Sequence, residues 1–304
     1  MQIQLPRAFS EVATDFPGVD FEIFSGSAPQ GPSLARTTMY IIPYGGAPGS
    51  MQVMAEMPQL EVAQLLWAGV EYARPFVPPG VRLCNGRGIH DAATAELAVG
   101  LAIASLRGMA QSVRNQQAKT WSRDLDYKSL ADRRVTILGY GSIGAAIEAR
   151  MVPFEVEITR IARHARTDPV VHAIEDLDKI LRTTEVLMVV VPLTKETTRL
   201  LDARHLSLLP DGATVINVAR GLVIDTDALV AELKQGRLSA ALDVVDPEPL
   251  PPMHPLWEMP NCIITPHVGG GTSAFWPRAK KLVRENISRY VNNQPLLNEV
   301  SADY

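Results

Sequence analysis

Short apolar runs recur along the second half of the chain at a steady rhythm. They read RRVTIL (133–138), EVEITRI (155–161), EVLMVVV (185–191), ATVINV (213–218), AALDVV (240–245) and CIITP (262–266). Val, Ile and Leu stand in succession there rather than alternating with polar residues. That pattern marks strands buried on both faces, and so a parallel sheet covered by helices. Helical stretches separate the runs, and alternation of strand and helix is an α/β signature. The first hundred residues carry a weaker version of this rhythm. Candidate strands are Phe21–Phe24, Thr38–Pro43, Glu61–Leu66 and Val81–Cys84, punctuated by GSAPQGPS and YGGAPGS. Ala92–Leu106 is apolar on nearly every side, which predicts a buried helix, with Asp91 as its N-cap. A mixed stretch, Ser273–Val291, predicts a last helix, followed by a short tail, LLNEV.

Length and composition frame this reading. The chain has 304 residues, 46% hydrophobic and 20% charged. That predicts two domains with a sizeable core and argues against disorder. With 29 basic and 33 acidic residues the net charge is -4, so there is no global pull toward nucleic acid or an anionic membrane. The longest apolar stretch, Leu97–Leu106, is about half the ~20 residues a spanning helix needs. The start, MQIQLPRAFSEV, lacks the basic and apolar regions of a signal peptide. Cys84 and Cys262 lie in strand-like runs and read as two buried thiols, with neither a disulfide framework nor a metal site. The expectation is a soluble, cytoplasmic globular protein without a membrane or nucleic-acid partner.

The first chemistry appears after RRVTIL. Gly139-Tyr140-Gly141-Ser142-Ile143-Gly144 form G-x-G-x-x-G between a predicted strand and a predicted helix. In that context the glycines serve a tight turn, close approach of backbone to a pyrophosphate, and helix–strand packing. About 20 residues further on, dinucleotide-binding folds that take NAD place a carboxylate for the ribose 2′-hydroxyl. Here the segment reads Ile161-Ala162-Arg163-His164-Ala165-Arg166, with two arginines and no carboxylate. A guanidinium binds phosphate through two hydrogen bonds, so Arg163 and Arg166 predict NADP(H) over NAD(H). Two solvated loop residues would give the same letters.

Three further segments place a charged or titratable residue just past an apolar strand: INVARG (216–221), LDVVDPEPLP (242–251) and ITPHVGG (264–270). Ligands of open parallel sheets bind outside the carboxyl ends of the strands, so Arg220, Glu248 and His267 are candidates for one site. An arginine clamps a carboxylate, a histidine exchanges a proton at neutral pH, and a carboxylate beside it favours the protonated form. Asp243, at its strand end, is a candidate to orient a nicotinamide amide. Singly, each residue also fits an ordinary place: a polar loop histidine, a solvated glutamate, a structural arginine.

Taken together, GYGSIG, VPLTKETTRLLD, INVARG, LDVVDPEPLPPMHPLW and TPHVGG, in this order, resemble the D-isomer-specific 2-hydroxyacid dehydrogenase family over roughly residues 60–300. The resemblance implies two Rossmann-like domains with a cleft between them. Residues 1–98 plus 275–304 would form the substrate domain and 99–274 the cofactor domain. It implies Arg220 as the binder of substrate carboxylate and 2-oxo group, His267 as acid/base, and Glu248 as its partner. Ala68, Gly69 and Val70 match the segment whose backbone N–H groups hold the substrate carboxylate. Thr94 falls where the hinge helix meets the nicotinamide, and Pro192 in the segment lining the adenosine. A homodimer is also implied, with Trp121 in the segment that crosses to the partner, though a core tryptophan is an equal reading.

The cofactor arginines are similar to those of the NADP-preferring glyoxylate and hydroxypyruvate reductase branch. The expected activity is therefore NADPH-dependent reduction of a small 2-oxo acid to the D-2-hydroxy acid. A dinucleotide-binding corepressor with little turnover, or a dehydrogenase of another small anion, shares the motifs. Arg87 and His90 stand where many relatives have neutral residues; they face the substrate or merely cap a turn and precede the helix. Phe275 and Trp276 wall a substrate pocket or anchor the last helix. The chain stops at Tyr304, where some phosphoglycerate dehydrogenases continue into a regulatory extension, so serine-type feedback is not expected.

Overall fold

The computed structural model describes residues 1–123 and 127–300. The chain divides into two compact units, Met1–His90 with Ser273–Tyr304, and Asp91–Thr272. The helix that the expected boundary divides at 98/99 falls whole in the second unit. The last four residues of the expected 275–304 segment lie outside the described ones.

The first unit is built on a five-stranded parallel sheet. Its strands are β1 (Gln2–Pro6), β2 (Asp20–Phe24), β3 (Met39–Ile41), β4 (Val62–Gln64) and β5 (Arg82–Cys84), in the order β2-β1-β3-β4-β5. Short helices α1 (Ser10–Ala13) and α2 (Pro48–Gln52) lie in the connections. The C-terminal helix, Phe275–Val291, buries Phe275, Ala279, Val283, Ile287 and Tyr290. Their three- and four-residue spacing makes one apolar stripe, which packs with Ile3, Leu5, Met39 and Ile41 of the sheet. Phe275 is core, whereas Trp276 is 43% exposed and meets it edge-on. β1 was not among the predicted strands. Its letters, QIQLP, include two glutamines, yet Gln2 and Gln4 are as buried as Ile3 and Leu5. The tail predicted after the last helix runs along β5, with Asn85 N–H donating to Asn298 O (3.0 Å) and Val300 N–H to Leu83 O (2.8 Å). It covers a sheet edge that would otherwise be open.

The second unit holds an eight-stranded sheet. It contains β6 (Arg134–Leu138), β7 (Glu157–Ala162), β8 (Arg166–Thr167), β9 (Val170–Ala173), β10 (Val186–Val189), β11 (Thr214–Asn217), β12 (Ser239–Leu242) and β13 (Cys262–Ile264). The order is β13-β12-β11-β10-β6-β7-β9-β8, parallel except for β8. The six predicted strands are all present; the β8–β9 hairpin, short and rich in polar residues, gave no apolar run. Helices α3 (Asp91–Leu106), α4 (Met109–Gln117), α5 (Ser142–Met151), α6 (Leu177–Leu181), α7 (Ala203–Leu208) and α8 (Thr226–Lys234) complete the unit. α3 is buried as its composition predicts: Ala95, Ala98, Val99 and Ala102 pack with Ile137, Ile147 and Met188. It starts at Asp91, so that residue opens the first turn rather than preceding it.

Among the described residues no single helix is long and apolar enough to cross a membrane, and no group of three or more His, Cys, Asp or Glu is gathered to hold a metal. Both cysteines are free. Cys84 is buried, but Cys262 is only partly so, against the expectation of two buried thiols. Burial pushes both thiols up to about 12. Trp121 is 87% exposed, which removes the core reading for it.

Candidate active site

The strand order reverses between β6 and β10, since β7 lies on one side of β6 and β10 on the other. Such a switch point is where open α/β sheets bind ligands. The chain leaves β6 through the glycine motif and enters α5 at Ser142 and Ile143. Gly139 has φ +109°, and a Cβ there would stand 2.6 Å from the Val190–Val191 backbone beyond β10. A Cβ at Gly144 would stand 2.6 Å from Gly139 O. Both are glycines because the protein itself leaves no room. Gly141 differs: a Cβ there would meet nothing within 4 Å. Its bare backbone opens onto free space at the N-terminus of α5, where unpaired N–H groups and the helix dipole favour an anion. A dinucleotide pyrophosphate fits this arrangement.

Arg163 lies immediately past β7 and is exposed. Its charge is felt in the loop after β10, where it adds to the lowering of the Glu196 carboxyl that the Thr194 hydroxyl causes most. In that loop Pro192 O accepts the Thr197 hydroxyl at 2.6 Å. Arg166 sits over the Tyr140 ring, 5.4 Å from its centroid, and donates to Tyr140 O at 2.5 Å. On the same ring lies Arg160 at 5.6 Å, itself paired with Glu148 of α5. The two sequence-predicted phosphate cations therefore occupy different places. Arg163 stands exposed just past β7, and Arg166 is stacked on the glycine loop.

The three strand-end segments converge. Asn217 ends β11; its side chain accepts Ala219 N–H and donates to Arg220 O, which closes the turn that carries Arg220. Gly221 follows, and a Cβ there would stand 1.9 Å from Val245 O, so this turn lies directly on the chain that leads from β12 to Glu248. His267 Nδ1 stands 2.6 Å from Glu248 Oε1. Nδ1–H donates to the carboxylate, which selects the tautomer whose other ring nitrogen, Nε2, is not tied to Glu248. His267 adopts φ +52°, a conformation uncommon outside glycine. Asp243 holds that loop in place. Its carboxylate is buried and accepts the Thr265 hydroxyl (2.5 Å), Val268 N–H (3.0 Å) and Gly269 N–H (2.9 Å). Its carbonyl accepts His267 N–H at 2.8 Å. Thr94 of α3 donates to Gly269 O at 3.4 Å.

In the other unit, residues 66–70 form an irregular loop after β4. Asn85 donates to Ala68 O (2.9 Å) and Gly86 N–H to Trp67 O (2.7 Å). Among the described residues, no acceptor takes the N–H groups of Ala68, Gly69 and Val70. Successive unpaired N–H groups form an anion-binding concavity.

These geometries agree with what similar proteins are. The model of the D-isomer specific 2-hydroxyacid dehydrogenase NAD-binding domain matches residues 99–269, more than half the chain. The chain belongs to that family. Its oxidoreductase fold is similar throughout to solved members. One, from Xanthobacter autotrophicus in complex with NADPH and MES, has a TM-score of 0.83 and 29% identity, covering 100% of this chain and 99% of that one. Another is an NADPH-dependent glyoxylate/hydroxypyruvate reductase from Sinorhizobium meliloti, with TM-score 0.77, 25% identity, and 99% and 96% coverage. A glyoxylate reductase from Thermofilum pendens is 32% identical over 248 residues, 78% of this chain and 73% of that protein.

Several residues that shape the candidate groups within each unit escaped sequence reading. Asn217, Thr265 and Asn85 act through short side chains on nearby backbone, and a polar residue at a strand end carries no periodic signal. Tyr140 filled a variable position of the glycine motif, so its two guanidinium partners were invisible until the fold brought β7 and β8 beside it.

Proposed function

We propose that this family member reduces a small 2-oxo acid, glyoxylate or hydroxypyruvate foremost, to the D-2-hydroxy acid with NADPH. The observation that carries the reading is the His267–Glu248 pair, 2.6 Å apart, beside the Arg220 turn. The bound reduced nicotinamide supplies a hydride to the substrate's C2. His267 gives the proton from Nε2 to the oxygen that becomes the hydroxyl, while Glu248 holds Nδ1 and fixes the ring's orientation. Arg220 binds the carboxylate and draws electron density from the carbonyl. The N–H groups of Ala68, Gly69 and Val70 bind the carboxylate. Gly139, Gly141, Ser142, Ile143 and Gly144 cradle the pyrophosphate, Thr94 and Pro192 border the nicotinamide and adenosine, and Arg163 and Arg166 take the 2′-phosphate. The protein works as a homodimer, and the exposed apolar side chains of Met109, Val113 and Trp121 support such a contact.

The test is direct transfer. NADPH deuterated at C4 and incubated with glyoxylate or hydroxypyruvate gives product carrying deuterium at C2, and chiral chromatography of the hydroxypyruvate product gives the D enantiomer. Consumption of neither acid, or deuterium lost to solvent, contradicts the reading.

A further inference from the structure

His90 and Asn85, which the reaction above leaves without a role, both end on the loop at 66–70. His90 Nε2 lies 3.1 Å from Leu66 O, so this nitrogen carries the proton and donates. The ring cannot swing: it stacks on Phe275 at 5.3 Å and 19°, with Tyr44 at 5.5 Å. Asn85 is buried and donates to Ala68 O at 2.9 Å. Its own position is fixed from three sides: Arg87 N–H on Oδ1, Gln64 Nε2 on its carbonyl (3.1 Å each), and its N–H on Asn298 O. Gln64 is held in turn by Asn286 of the C-terminal helix at 2.6 Å. Between the two side chains, Gly86 N–H donates to Trp67 O, and a Cβ on Gly86 would stand 2.5 Å from the Leu66–Trp67 peptide.

Three consecutive carbonyls are thus tied to residues between 85 and 90. A trans peptide is planar, and its C=O and N–H point in opposite directions. Pinning Leu66 O, Trp67 O and Ala68 O therefore aims the N–H groups of Trp67, Ala68 and Gly69 the other way. We propose that His90 and Asn85 are positioning residues that set the polarity of this loop and thereby its affinity for the substrate carboxylate. This rests on the reductase reading given above. Arg87 contributes its backbone to the same scaffold, through Asn85 Oδ1 and through Asn298 on its carbonyl.

The variants are His90→Leu, His90→Gln and Asn85→Ala in the full-length protein. Glutamine is the conservative change, because its amide nitrogen reaches the place of Nε2. Three quantities are measured: kcat and KM for glyoxylate, Kd for NADPH by fluorescence, and Kd for oxalate, an unreactive dicarboxylate, on the NADPH complex. His90→Leu and Asn85→Ala are expected to raise KM and the oxalate Kd together by roughly 5–30-fold, as loss of one orienting hydrogen bond does. NADPH affinity and kcat stay within about threefold, and His90→Gln recovers most of the loss. Unchanged KM and oxalate Kd in His90→Leu, or a glutamine variant no better than leucine, overturns the proposal while leaving the reductase reading intact. A wild-type protein that binds oxalate with this dependence on His90 yet reduces no 2-oxo acid supports the positioning role and sinks the reductase reading. Should Asn85→Ala fail to fold, the His90 pair decides alone.

Discussion

At the scale of single residues, the site separates chemistry from scaffolding. His267 has a carboxylate on Nδ1, and Nε2 is not tied to it. His267→Ala removes the proton donor, so kcat falls by roughly 10²–10⁴-fold, with NADPH affinity by fluorescence little changed. Arg163 has no such scaffolding role. Arg163→Ala is expected to raise the NADPH Kd roughly 10–100-fold, the size of a lost charged contact, and to leave NADH within about twofold. Equal losses for both cofactors in isothermal titration contradict the phosphate assignment. Asp243→Ala strands the buried N–H group of Gly269 and the part-buried one of Val268. An unsatisfied buried donor costs about 1–3 kcal/mol, so denaturant melts shift markedly even without cofactor. Arg220, Glu248 and His267 were legible in the sequence because each follows a strand whose apolar run is unmistakable. Asp243 was legible too, but as a partner of a cofactor amide; that it holds the His267 loop with Thr265, and that Asn217 closes the Arg220 turn, depends on backbone whose course only the fold defines.

At the scale of elements, the glycine loop makes two separable predictions. Gly139→Ala meets the Val190–Val191 backbone and a φ of +109°, and lowers stability whether or not cofactor is present. Gly141→Ala meets no protein atom within 4 Å, so the melt stays put and NADPH binding weakens. Comparing thermal melts with cofactor titrations for both variants checks this split. The tie between α5 and β7 has a pH signature. The Glu148 carboxyl is held below its usual range, chiefly by the Arg160 guanidinium, against burial, which raises it, and with help from the Tyr140 hydroxyl. A depressed folded-state value stabilises the fold above the unfolded value of about 4.3 and loses that contribution as pH falls through the folded one. Glu148→Gln should therefore be less stable than wild type at pH 7, with the difference shrinking as melts are taken below about pH 4. The strands of the second unit announced themselves because both their faces are buried. β1 did not, because two of its five buried side chains are glutamines.

At the scale of the whole molecule, the proposed function gives the two sheets two kinds of ligand recognition, one by glycines and a helix terminus, the other by backbone N–H groups. Analytical ultracentrifugation of the full chain is expected to give twice the monomer mass, and Trp121→Ala with Val113→Ser to shift it toward monomer. A monomeric wild type contradicts the dimer. The central claim is NADPH-dependent reduction of a small 2-oxo acid, and absorbance at 340 nm tests it most directly. Glyoxylate and hydroxypyruvate are each offered with NADPH and then with NADH. The account predicts rapid consumption with at least one acid and a kcat/KM at least tenfold higher with NADPH. Equal or better turnover with NADH contradicts the two-arginine reading, and tight NADPH binding with no turnover on either acid contradicts the reaction itself.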